Sequence, residues 1–236
     1  MHCEDGPRAR MKQLLTERAR SLGLGRESID VLVRHAEFVP AEAGRVVCST
    51  EHPNGFARLP LTGVLKLVCY PEARAAIVVR FLPPAALVSL PVLRSDAGYR
   101  VAVVAHARSL VALVGDADAR RALSGLRDGA LDFAGSASRT LVRWLCEKSV
   151  LLRCTVSERL ARELAILAAT LPARSGDGTE IAARITHDDL AALVGATRSS
   201  VSRAMHALSA AGLVRQRRYG AIVVSRTLLD RRVEAP

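Results

Sequence analysis

The chain has 236 residues, half of them hydrophobic, which is enough for one large domain or two small ones with a real core. It carries 34 Lys and Arg against 23 Asp and Glu, a net charge of +11 at pH 7, and that balance favours an anionic partner. No run of 18 or more apolar residues is free of charge, so a transmembrane helix is not indicated.

The excess charge is spread along the chain. Residues 150–236 hold 13 basic and 8 acidic residues, and residues 1–149 hold 21 and 15. Of the basic residues 31 are Arg and only 3 are Lys, a compositional bias rather than a mark of any one site. The N-terminus MHCEDGPRARMKQ lacks an apolar signal segment, and a cytoplasmic protein is expected. The five cysteines are Cys3, Cys48, Cys69, Cys146 and Cys154. They are scattered, none stands in a C-x-x-C pair, and a disulfide framework is not expected.

Residues 10–35 carry Leu14, Leu15, Leu22, Leu24, Ile29, Val31 and Leu32 at helical spacing. From Glu37 the period shortens. Arg45 to Ser49, Gly63 to Tyr70, Ala75 to Leu82, Arg100 to His106 and Ser109 to Val114 read as strands. Pro53-Asn54-Gly55, Pro71-Glu72, Pro83-Pro84 and Asp96-Ala97-Gly98 punctuate them. Many short strands at this spacing predict a sandwich or β-roll.

Residues 116–152 read as one long helix with an acidic start at Asp116-Ala117-Asp118. Leu123, Leu126, Ala130, Phe133, Ala137, Leu141, Trp144 and Leu151 form an apolar stripe. Gly125, Gly129 and Gly135 weaken its intrinsic helicity, so packing must hold it. Such a helix can lie on its own sheet or pair with a second copy. Cys146 and Cys154, on or beside it, are expected to be buried, inert thiols.

The most informative stretch is ITHDDLAALVGATRSSVSRAM, from Ile185 to Met205. Thr186 can cap a helix, with Asp189 three residues on in a capping-box arrangement. Leu190, Leu193 and Val194 give that helix one apolar face, and Gly195-Ala196 makes a turn. Thr197 can cap a second helix, residues 197–210, whose apolar face is Val201, Met205 and Leu208. Its other face carries Arg198, Ser199, Ser202 and Arg203, side chains suited to guanine edges and phosphates in a major groove. Leu213-Val214 and Ala221 to Val224 read as two short strands around a basic turn with Arg215, Arg217 and Arg218. This wing can reach a phosphate backbone.

This order of features, with TVSERLARELAILAATLP upstream at Thr155 to Pro172, resembles the C-terminal half of the Crp–Fnr family of bacterial transcription regulators. The motif that carries the resemblance is L-A-x-L-V-G-A-T-R-x-x-V-S-R, Leu190 to Arg203, and the match extends from Thr155 to Leu229. Family members often place Glu where Ser199 stands, so the resemblance implies a mode of binding and not a target sequence. LPLTGVLKLVCY, Leu59 to Tyr70, resembles a hairpin of the family's sensor domain. The implied fold is α+β: a double-stranded, cyclic-nucleotide-binding-like β-roll with N-terminal helices at 1–115, a long dimerisation helix at 116–153, and a winged helix-turn-helix at 154–236. The resemblance favours pairing of the long helix, with Leu126, Phe133, Ala137, Leu141 and Trp144 at the two-fold contact.

The resemblance also points to an effector pocket and shows where this chain departs from it. Cyclic-nucleotide binders of this fold use a Gly-Glu-Leu turn, then Arg followed by Ser or Thr. Here Val88-Ser89-Leu90 stands at the turn, without the Gly or Glu. Arg100 is near the phosphate position but is followed by Val101, and the pair Arg94-Ser95 comes several residues early. Ser89, Arg94 and Arg100 are thus the pocket residues implied, in a pocket not suited to ordinary cyclic AMP. No effector, cofactor or metal is assigned: Cys3 alone cannot hold a cluster, and haem would fall to His35, His52 or His106.

The implied function is a homodimeric regulator on palindromic double-stranded DNA, with RNA polymerase as a partner of any activator and a small-molecule effector unidentified. The alternative is a ligand-binding signalling module whose winged helix contacts protein. An enzyme is not expected: no P-loop, H-E-x-x-H or G-x-S-x-G occurs, and His187-Asp188-Asp189 reads as an acidic first helical turn.

Overall fold

The computed structural model describes residues 5–51, 55–72, 75–86, 88–89, 100–124, 138, 142–149, 153–175, 178–217 and 220–233. The chain divides into two units, residues 1–72 with 81–142, and residues 73–80 with 143–236.

The first unit opens with two helices, α1 (Asp5–Ser21) and α2 (Arg26–His35). The helical spacing over residues 10–35 thus belongs to two helices, as the plural N-terminal helices of the implied fold require. Gly23 takes φ +80°, a left-handed conformation that glycine adopts without strain, and the carbonyl of Ala19 accepts from both Leu22 and Leu24 at 3.2 Å. Eight strands follow along the chain, of which β5 is divided, its residues 77–80 belonging to the second unit: β1 (Glu37–Ala41), β2 (Val46–Ser49), β3 (Phe56–Thr62), β4 (Leu65–Tyr70), β5 (Ile77–Leu82), β6 (Val88–Ser89), β7 (Arg100–Ala105) and β8 (Ser109–Gly115). They form two four-stranded sheets, in the orders β1-β8-β3-β6 and β2-β7-β4-β5. The paired neighbours β1/β8, β8/β3, β3/β6, β2/β7 and β7/β4 are antiparallel. These are the two sheets of the expected roll. β1 and β3 carry prolines, at Pro40 and Pro60, which blur their strand signal in the sequence. Helix α3 (Asp116–Ser124) starts where the acidic cluster placed it.

The helices close over one sheet. Leu15, Ala19, Leu24, Ile29, Leu32 and Ala122 pack on Leu59, Leu61, Ala112 and Val114 in one buried cluster. Each fully buried large aliphatic side chain contributes about 1.5–3 kcal/mol. At the hairpin between β3 and β4, Gly63 has φ +79°. A Cβ there would lie 2.3 Å from Ser109 Oγ, so the turn requires glycine.

One charge lies within the roll. Arg58 is 1% exposed. Its Nε donates to the Val47 carbonyl at 3.2 Å and its Nη1 to the Phe56 carbonyl. Burial lowers its pKa, against the opposing pull of Cys48 and Asp116. Burial also pushes the neighbouring Cys48 thiol up, which makes it a poor nucleophile.

The second unit contains a helical stretch at 142–149, then α4 (Val156–Thr170), β9 (Pro172–Ser175), β10 (Gly178–Ile181), α5 (His187–Val194), α6 (Arg198–Ala210), β11 (Val214–Gln216), β12 (Ile222–Ser225) and α7 (Arg226–Val233). The strands form one sheet in the order β11-β12-β10-β9. Its core gathers Leu160, Leu164, Leu167, Leu190, Leu193, Val201, Met205, Leu208, Val214, Ile222 and Val224, all buried. Gly178 sets the closeness of β10 to β12: a Cβ at that position would stand 2.4 Å from the Val224 carbonyl oxygen. The hairpin β9–β10 and helix α7 carry no strong periodicity and were not expected from the sequence.

Candidate nucleic-acid interface

Helix α5 begins where the sequence placed it. Thr186 Oγ1 accepts from the Asp189 amide at 3.1 Å, and Asp189 Oδ2 accepts from the Thr186 amide at 3.2 Å, a complete capping box. It ends at Gly195, which takes the left-handed conformation (φ 64°, ψ 50°). The next helix starts three residues later, at Arg198. Thr197 caps α6, its hydroxyl accepting from the Ser200 amide at 3.2 Å. Two capped helices around one left-handed glycine are the expected helix-turn-helix. Upstream, Thr155 and Glu158 make a second capping box at the start of α4. Hydrogen bonds from the Thr155 amide and hydroxyl hold the Glu158 carboxyl below its usual pKa.

Val201, Ala204, Met205 and Leu208 turn α6 inward, where it packs on α4 and α5. That burial fixes what faces out. Arg198, Ser199, Arg203 and His206 are exposed, and Ser200 and Ser202 are half-buried. Ser199, Ser202, Arg203 and His206 follow the spacing i, i+3, i+4, i+7, which puts them on one face. His206 belongs to this face and was not picked out from the sequence. Its signal was available as the residue one turn beyond Ser202 and Arg203.

The cations differ in how free they are. Arg198 lies 3.7 Å from Asp188 of α5, both side chains exposed. Among the described residues, the Arg203 guanidinium donates only to the Ser200 hydroxyl, at 3.4 Å. In the wing, β11 and β12 pair antiparallel, with Arg215 opposite Val223. The tip is closed by bonds from the Arg217 amide to the Ala221 carbonyl at 2.8 Å and from the Gly220 amide to the Arg217 carbonyl at 3.2 Å. Arg217 is held by Glu180 of β10 at 3.2 Å. Arg215 is exposed and makes no ion pair among the described residues. Arg218 lies outside the described residues. Thr197, Arg198, Ser199, Ser202, Arg203, Arg215 and Arg217 therefore share one unit, with the α6 set on the exposed side of that helix and the arginines on the wing.

A further contact joins these parts. His187, the first residue of α5, lies between α6 and the wing. Its Nδ1 is 2.9 Å from Ser202 Oγ and its Nε2 is 3.1 Å from Gln216 Nε2. In the sequence His187 reads only as part of an acidic first helical turn, and Gln216 carries no signal, because the meeting of three elements is a tertiary event.

Two of the implied effector residues, Ser89 and Arg100, stand on described strands. Ser89 pairs with Ala57 in the β3/β6 ladder, and Arg94 lies outside the described residues. Arg100 is exposed on β7, 3.0 Å from Glu51, with its guanidinium 5.6 Å from the Tyr70 ring centroid. A cavity of about 210 Å³ in this unit, between the helices and the sheet, is lined by leucines including Leu15, Leu32, Leu59 and Leu123 together with Ala57, Arg58 and Asp116. Arg100 does not line it.

Of the implied dimer contacts, Leu126, Phe133, Ala137 and Leu141 lie outside the described residues. Trp144 is half-buried in the 142–149 stretch, with the Arg80 guanidinium over its ring. The exposed apolar residues of that stretch are Val142 and Leu145, at 57% and 59%. Cys146 is also exposed and Cys154 half-buried. That corrects the expectation of two buried thiols: Cys146 shares the outward side of the helix with Val142 and Leu145.

Comparison with known proteins agrees with this geometry. Residues 158–232 match the family model of the Crp-like helix-turn-helix domain. Among solved structures, the chain is similar to FixK2 of Bradyrhizobium japonicum, at 20% identity over 83% of this chain and 96% of that one, with a TM-score of 0.69. It is similar to CLP of Xanthomonas campestris, described as a c-di-GMP responsive global regulator, at 20% identity over 85% and 99%, TM-score 0.67. It is also similar to TTHA1359 of Thermus thermophilus, a CRP/FNR family transcriptional regulator, at 22% identity over 82% and 98%, TM-score 0.61. No curated protein sequence matches the chain. Residues 158–232 are thus a Crp-like helix-turn-helix domain, and the chain has the fold of Crp–Fnr transcription regulators.

Proposed function

We propose that the chain is a homodimeric, sequence-specific DNA-binding transcription regulator. The observation that carries this reading is the outer face of α6. A Thr-capped helix buries Val201 and Met205 while exposing Ser199, Arg203 and His206, beside a wing with an exposed Arg215. The helix N-terminus and its hydroxyls suit a phosphate, and the side chains one turn further suit base edges.

Dimerisation is supported by the exposed Val142 and Leu145, which lie one turn apart on the 142–149 helix. Two copies related by a two-fold axis would present two reading heads to a palindromic site. The effector side of the reading is that ordinary cyclic AMP does not switch the protein. The Gly-Glu turn is absent, and Arg100 is engaged with Glu51 on the surface of the roll.

The test is selection of binding sites from random duplexes, followed by titration over a range of salt. Enrichment of a palindrome, bound with an affinity that falls steeply with salt, is expected. A protein that binds no duplex at low salt overturns the reading.

A further inference from the structure

We propose that His187 is a positioning residue that clamps the wing to the reading helix and sets the hydrogen-bond character of Ser202. The inference rests on the DNA-binding reading and adds to it a residue that fixes what the reading helix can recognise.

The Gln216 amide nitrogen can only donate. At 3.1 Å from His187 Nε2, it requires a lone pair on that ring nitrogen. The ring proton then sits on Nδ1, which donates to Ser202 Oγ at 2.9 Å. The serine oxygen acts as acceptor toward histidine, and its own proton is free to turn outward. Ser202 thereby keeps a donor for DNA. Its complement is an acceptor: a phosphate oxygen, a purine N7, guanine O6 or thymine O4.

The opposite ring tautomer would reverse this. Ser202 would spend its proton on Nδ1 and offer DNA only lone pairs, which phosphates and purine N7 cannot use. A wing residue, Gln216, thus determines through one imidazole what a residue of α6 presents. The same two bonds tie β11 to α6, so the wing arginines and the reading face are held at one mutual angle. His187 is half-buried, and among the described residues Ser202 has no other side-chain hydrogen bond.

Two measurements on the full chain test this. The first is the nitrogen chemical shifts of the His187 imidazole in DNA-free protein at neutral pH, with His187→Asn identifying the signal. A protonated Nδ1 and an unprotonated Nε2 are expected. The second is a double-mutant cycle on the selected DNA. His187→Ala and Ser202→Ala should each weaken binding about tenfold, and the double variant about tenfold rather than a hundredfold, because both remove the same contact. Gln216→Leu should behave as His187→Ala. Thermal unfolding separates loss of the fold from loss of the clamp. The reverse tautomer, additive losses or an unchanged affinity for His187→Ala overturns the proposal. Because the first measurement needs no DNA, a wild type that binds no duplex would defeat the regulator reading and leave the clamp to be judged on its tautomer.

Discussion

The Arg80 guanidinium lies 4.9 Å from the centroid of the Trp144 ring, and its Nη1 donates to Glu147 Oε2 at 2.7 Å. One arginine of β5 thereby covers an aromatic face and pairs with a carboxylate one turn further on. Both ends of the ion pair are largely shielded, at 11% and 19% side-chain exposure, so water screens it only partly. Arg80→Ala is expected to destabilise the second unit by about 2–3 kcal/mol, the sum of a partly desolvated ion pair and a cation–π contact. Trp144 is the only tryptophan in the chain, so its emission reports the contact directly. Urea unfolding followed by that fluorescence checks the value. An unshifted emission with unchanged stability would mean that the contact contributes nothing.

The reading face should respond unequally to charge removal. Among the described residues, Arg203 has only a hydroxyl partner at 3.4 Å, whereas Arg198 is 3.7 Å from Asp188. Arg203→Ala is expected to cost about 1–3 kcal/mol on specific DNA while leaving the fold intact. Asp188→Asn releases Arg198 and removes a negative charge beside the phosphates, so it should raise affinity for any duplex. Fluorescence anisotropy with specific and random duplexes decides both.

In the wing, Arg215 is exposed with no ion pair among the described residues, and Arg217 is held by Glu180 at 3.2 Å. Arg215→Ala should therefore weaken specific and random DNA alike and lower the salt slope by about 1. Arg217→Ala should do less, since its charge is already partly neutralised. A loss confined to one base position would show that the wing reads sequence.

The cap of α4 gives a pH signature. The Glu158 pKa is lowered in the folded protein from its ordinary value of 4.5, chiefly by hydrogen bonds from Thr155. A depressed folded value means a contribution to stability that is present above pH 4.5 and lost as the pH falls through the folded value. Wild type should lose stability across that acid window, and Glu158→Gln should lose less. Thermal melts from pH 6 down to about pH 3 test the sign.

Calorimetric titration with cyclic AMP should show no binding that alters DNA affinity. Micromolar binding with a tenfold rise in DNA affinity, about 1.4 kcal/mol of coupling, would mean that the pocket is functional despite its missing Gly-Glu turn.

The legible parts of this chain are those governed by local rules. Thr186 with Asp189, Gly195 and Thr197 announce two caps and a turn within twelve residues, and the structure has each of them in that role. The strand runs from Gly63 to Tyr70 and from Arg100 to Val114 were legible because Val and Leu recur there between turn residues. What escaped depends on long-range packing. β3 carries a buried Arg58 and Pro60, so its sequence does not alternate like an ordinary strand, although it lies between β8 and β6. The outward side of the 142–149 helix holds Val142 and Leu145, one residue out of step with the stripe through Leu141 and Trp144, because Arg80 covers the tryptophan. His187 became a site residue only when α5, α6 and β11 were brought to one point.

The close approach of β10 and β12 at Gly178 sets unequal rules for change within the wing. Any side chain at 178 must force the strands apart, since even an alanine methyl would meet the Val224 carbonyl oxygen. Arg215 and Arg217 are exposed, so a new side chain there meets no such barrier. In a library of random variants selected for binding to a new duplex, adaptation should collect at the tip and on the outer side of α6. Position 178 should stay glycine in every survivor, so the preferences of this reading head can drift while its frame cannot.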